Sequence, residues 1–184
     1  MKRTPFSLLL MFGLIVSAAS RLSGGSGIDY RQMRNEIEIF ETILHTSIKN
    51  EFNHPLALVS EPRGAYLPGY GVNFSFLLNI NRDEVTTPFG VRKFNQSGHV
   101  RADKLRLVRE MMLKLLGEYG NAVTQLSTDE NFSVSAHLED RTSLVPSERE
   151  EVLVFRVGKK TLADYSARKI DLKQFRERVE IIEY

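Results

Sequence analysis

Cysteine and tryptophan are absent from this chain of 184 residues, and histidine occurs only four times. Without cysteine there is no disulfide, no thiolate nucleophile and no thiolate metal ligand, so stability must come from the core. Lipid attachment to an N-terminal cysteine is excluded on the same ground. His45, His54, His99 and His137 are scattered, with no His-x-x-x-His pair to write a zinc site into the local sequence. A Gly-x-Ser-x-Gly nucleophile elbow is also missing. Gly69-Tyr70-Gly71 starts like a dinucleotide loop but lacks the third glycine and runs into a strand pattern where a helix is needed. The acidic pairs Asp129-Glu130, Glu139-Asp140 and Glu150-Glu151 read as solvated charge at element ends. The expectation is therefore no catalytic residue, no metal and no cofactor.

Long apolar runs are equally scarce, with one exception. Lys2 and Arg3 precede the run Leu8 to Val16, and the small residues Ser17, Ala18, Ala19 and Ser20 follow it. A basic start, a short apolar middle and small residues at −3 and −1 are the parts of an export signal. The run falls short of the roughly 20 apolar residues that a membrane span needs. Cleavage after Ala19, with Ser17 at −3, is preferred to cleavage after Ser20, and an uncleaved anchor is the rival reading. The cut removes Lys2 and Arg3 from the 25 Lys and Arg and nothing from the 23 Asp and Glu, so the two signs become equal. A field that would hold nucleic acid nonspecifically is thereby excluded. The expected address is the periplasm or the cell exterior, and a membrane is expected only through an uncleaved signal.

The chain divides into a signal at residues 1–19, a Gly/Ser linker at 20–27 and one α+β domain at 28–184. Met33, Ile37, Phe40, Leu44 and Ile48 recur at helical spacing, as do Leu105, Val108, Met112, Leu115, Leu116 and Tyr119. Val72, Phe74, Phe76, Leu78 and Ile80 alternate with Asn73, Ser75, Leu77 and Asn79, and Phe132 to Leu138 alternate likewise, so both segments read as half-buried strands. Val152 to Val157 reads as a central strand. Pro68-Gly69 predicts a type II turn closing a hairpin that begins at Ala65, with a further strand at Ala57 to Ser60. The segment Asn81 to Asp103 has no period and reads as a long loop. Thr161 with Asp164, and Asp171 with Gln174, are capping-box signals for two short helices, with Leu162, Tyr165, Leu172, Phe175 and Val179 facing inward. The predicted architecture is an antiparallel sheet of about four to five strands packed with two long and one or two short helices.

The hairpin Gly64-Ala65-Tyr66-Leu67-Pro68-Gly69-Tyr70-Gly71-Val72-Asn73-Phe74, with Val154-Phe155-Arg156-Val157, Lys159, Lys160 and Lys169 to Arg176, resembles a family of exported bacterial proteins of unknown function. That resemblance implies a fold and an address and carries over no site. The element order also resembles longin and roadblock modules, which implies an interaction scaffold by fold-level analogy. Two functions of different class are therefore expected. The first is a non-enzymatic exported domain that binds an envelope protein or itself, through a sheet edge or the Asn81 to Asp103 loop with Phe89 and Phe94 as contacts. The alternative is a small-ligand-binding or hydrolytic domain whose site assembles from Arg63, Tyr66, Tyr70 and His99 around the hairpin.

Overall fold

The structure, a computed structural model, describes residues 27–52, 58–79, 84–87, 89–93, 101–139 and 150–184. The expected export signal, most of the expected Gly/Ser linker, Phe94 and His99 lie outside the described residues, as does most of the segment joining Glu139 to Glu151.

The first element, α1, spans Tyr30–Phe52. Asp29 starts it by accepting from the backbone N–H of Arg31 and Gln32 at 2.9 and 3.1 Å, which satisfies donors that a helix N-terminus leaves open. Its predicted stripe of Met33, Ile37, Phe40, Leu44 and Ile48 is buried throughout.

Strands β1 (Leu58–Leu67) and β2 (Gly71–Asn79) form the expected hairpin, but β1 does not begin at Ala65: it runs back through Leu58 to Ser60, so that segment is part of the hairpin and not a further strand. Its turn is closed by Tyr70 N–H donating to the Leu67 carbonyl at 3.0 Å, with Gly69 at φ +77°. Gly64 marks a close approach: a Cβ there would stand 2.5 Å from Phe74 Cε1 and 2.7 Å from Ile37 Cγ2, so one of these side chains would have to shift.

The segment read as a loop contains the hairpin β3 (Glu84–Thr87) and β4 (Gly90–Lys93), which forms a separate two-stranded sheet. Four-residue strands are too short to show a period, so the sequence conceals them. Helix α2 (Arg101–Tyr119) follows and buries Val108, Met111, Met112, Leu115 and Leu116.

The remaining elements are β5 (Asn131–Glu139), β6 (Glu150–Gly158), α3 (Lys159–Ser166), α4 (Leu172–Arg178) and β7 (Glu180–Glu183). The Asp171–Gln174 capping box forms as predicted, with both reciprocal bonds present. Thr161 is not a cap, because α3 already begins at Lys159 after Gly158. Leu172, expected to face inward, is 48% exposed in the first turn of α4, and Tyr119 also reaches solvent.

The fold is α+β, with a five-stranded sheet in the order β1-β2-β5-β6-β7. One pairing departs from the antiparallel expectation: β2 and β5 run parallel from Gly71 opposite Asn131 to Asn79 opposite Glu139. Parallel neighbours require a crossover, and the chain between them, including α2, supplies it. One face of the sheet carries Val72, Phe74, Phe76, Phe132, Val134, Leu153 and Phe155 into a core shared with the helices. At its centre Phe40 of α1 meets Phe74 and Phe132 with ring centroids 4.7 and 4.8 Å away.

Candidate functional site

Strand alternation sends the other set of side chains to the face opposite the core that the sheet shares with the helices. Register aligns them into rows. Ala65, Asn73, Ser133, Arg156 and Glu180 lie side by side across all five strands, and Arg63, Ser75, Ser135, Val154 and Ile182 form the next row. The first row is hydrogen-bonded along much of its length. Ser133 Oγ lies 2.9 Å from Asn73 Oδ1 and 3.1 Å from the Val72 carbonyl oxygen, and it accepts from the Tyr70 hydroxyl at 3.2 Å. Ser135 donates to the same Asn73 oxygen at 3.2 Å. Arg156 Nε donates to Glu180 Oε2 at 2.8 Å. That carboxylate, with a further contribution from the Tyr70 hydroxyl, pushes the Arg156 guanidinium still higher than usual.

This arrangement fixes hydroxyl, carboxamide and guanidinium groups against one another, with Ser133 fully buried and Asn73, Ser135 and Arg156 half-buried. The Ser133 hydroxyl faces a carbonyl and an amide oxygen, neither of which takes up a proton at ordinary pH, so these partners do not activate it as a nucleophile. What the row supplies is a preorganised set of donors and acceptors with its charges balanced.

The residues singled out around the hairpin do not converge. Tyr66 points to the core side and donates to Glu130 Oε1 at 2.7 Å; that bond, with burial, pushes its phenol up to about 12. Tyr70 crosses to the opposite face, where its hydroxyl donates to Ser133 Oγ. Arg63 lies with Nη1 3.6 Å from Glu41, whose buried carboxylate also accepts from Gly64 N–H at 2.7 Å. Phe89, at the tip between β3 and β4, is fully exposed.

Glu130 corrects the reading of the acidic pairs as solvated: it is 6% exposed and accepts from both Tyr66 and Ser127 N–H. Lys159, from the motif that carried the family resemblance, is likewise buried, donating to the carbonyls of Asn121 and Val123 at 3.0 and 2.7 Å. Burial pushes its ammonium down.

A groove of about 590 Å³ lies elsewhere, on the helical side, lined by Ser47, Met111, Tyr165, Leu172 and Arg176 among others. Among the described residues no group of three His, Asp or Glu is placed to hold a metal ion, and no helix is long and apolar enough to cross a membrane. Sequence reasoning did not single out Ser133, Ser135, Asn73, Arg156 and Glu180 as a set. The available signal was the small polar residue at every second position of two strands, which identifies a face but not its neighbours. Comparison with protein-family models, curated proteins and solved structures finds no significant match to this chain.

Proposed function

We propose that this chain is an exported binding module that docks an envelope protein on the polar face of its sheet, centred on Tyr70, Asn73 and Arg156, with Ser133 fully buried among them as support. The observation that carries the reading is the row from Asn73 to Glu180, hydrogen-bonded as Asn73–Ser133 and Arg156–Glu180 with the Tyr70 hydroxyl between the two, on the face opposite the helix-lined core. An array of balanced charges and fixed hydroxyls matches the polar, hydrogen-bonding surface of a folded protein. A polyanion would call instead for unpaired cations, and the cation of this row is paired. The export half of the reading rests on Lys2, Arg3 and the Leu8 to Val16 run.

A photo-crosslinking amino acid at Ser135, in cells that produce the protein, tests the docking. The expected result is an adduct of one defined mass, absent when the same group replaces Glu38 on the exposed side of α1. Equal labelling from both positions, or none from Ser135, would overturn the docking face.

A further inference from the structure

The two edges of the sheet are built differently. At one edge, β1 has register irregularities between Leu58 and Ser60 and between Ser60 and Arg63, with Pro62 inside the second. A bulge twists an edge away and a proline removes a donor, so both discourage a further strand. At the other edge, β7 pairs with β6 without interruption from Arg156–Glu180 to Leu153–Glu183. Glu180, Ile181, Glu183 and Tyr184 are exposed.

Val152 and Tyr184 exchange both backbone hydrogen bonds, at 3.4 and 3.1 Å. That pair sets the parity of the ladder. Tyr184, Ile182 and Glu180 turn their backbone groups toward β6, and Ile181 and Glu183 turn theirs outward, where no described strand pairs with them. Charge is a common defence of such an edge, but here it is compensated within the chain: Glu180 is engaged by Arg156, and Glu183 by Arg109.

We propose that β7 pairs antiparallel with β7 of a second copy of this chain, with Ile182 opposite its own counterpart on the two-fold axis. This register uses the whole stretch from Glu180 to Tyr184 that is laddered onto β6. It sets Ile181 opposite Glu183 of the second copy and Glu180 opposite Tyr184, so no two glutamate side chains stand directly opposite each other. A parallel in-register pairing would align Glu180 with Glu180 and Glu183 with Glu183, which is repulsive. The contact is isologous and runs one sheet through both copies. It goes beyond the docking of an envelope protein and does not depend on it.

Light scattering on the protein purified from cells that produce it, across a concentration series, tests the pairing. A reversible dimer is expected. Ile181→Pro removes only an outward N–H and should leave a folded monomer, whereas Ile182→Pro cuts the ladder to β6 and should lower the melting temperature. Because the chain has no cysteine, Ile182→Cys should form a disulfide-linked dimer on mild oxidation, and Ser60→Cys on β1 should not. This second readout stands even if Ile181→Pro fails to fold. A wild-type protein monomeric at every concentration, a dimer unaffected by Ile181→Pro, or equal cross-linking from Ser60→Cys would overturn the proposal. The Ser135 cross-link would be unaffected by any of these results, so the two readings fail separately.

Discussion

Gly71 lies against the backbone of Asn131 where β2 and β5 begin their parallel pairing. A Cβ on Gly71 would overlap the Asn131 carbonyl oxygen and stand 2.7 Å from its nitrogen, and the residue has φ +123°. Gly69, two residues earlier, also has positive φ at +77° but has open space around its missing Cβ. The same hairpin thus contains one glycine required by backbone angle alone and one required by angle and contact together. Gly69→Ala should cost about 1 kcal/mol, the penalty of a left-handed alanine. Gly71→Ala should cost on the order of 3 kcal/mol, because backbone on β5 must also shift. Urea unfolding of both variants checks the difference, and equal costs would contradict the close approach.

Glu36 links α1 to the segment before β5. Burial pushes its carboxyl up, but hydrogen bonds from Thr124, Gln32 and the Gln125 and Thr124 N–H groups together outweigh burial, and the net direction is down. A carboxyl whose folded pKa is depressed contributes stability above its unfolded pKa and loses it as pH falls through the folded value. Glu36→Gln should therefore destabilise by about 1 kcal/mol at neutral pH, a figure reduced from that of a fully buried charged bond because Glu36 is half-exposed. The difference from wild type should vanish in acid below the ordinary carboxylate range, as read by unfolding at a series of pH values.

Lys159 has the opposite sign. Its folded pKa lies below the ordinary 10.5, chiefly because it is buried. For such a base the unfolded state holds the proton more tightly, so the contribution of Lys159 to stability rises with pH between the folded value and 10.5. Lys159→Met leaves the Asn121 and Val123 carbonyls without their donor, at a cost of about 1 to 3 kcal/mol. That deficit should widen on approaching pH 10.5, measured against wild type at matched pH.

The proposed export signal has a direct readout. Mass spectrometry of the protein recovered from the cells that make it should find Ser20 at the N-terminus, with Arg21 as the alternative cut. Recovery of the Met1 form from membranes would replace the exported reading with an anchored one.

Much of the fold was legible because the forces involved are local. The apolar stripe from Met33 to Ile48, the alternation through Val72 to Leu78 and Phe132 to Leu138, the Pro68-Gly69 turn and the Asp171–Gln174 box each depend on residues a few positions apart. Backbone angles, caps and side-chain period act at that range, so these features could be read directly from the order of residues.

Tertiary structure alone decided what depends on neighbours distant in sequence. Strand β7 has four residues and no clear alternation; the ladder offered by β6 makes it a strand. The parallel pairing of β2 with β5 follows from where the crossover returns the chain. Tyr66 and Tyr70, four residues apart, go to opposite faces because strand and turn aim them differently, one to Glu130 and the other to Ser133. The candidate site is likewise a product of register: Asn73, Ser133, Arg156 and Glu180 belong to four strands, and a slip of one residue would turn the mispaired strand's member away from the row. Residue order establishes which side chains a strand carries to each face, while the hydrogen-bond ladder between strands determines which of them meet.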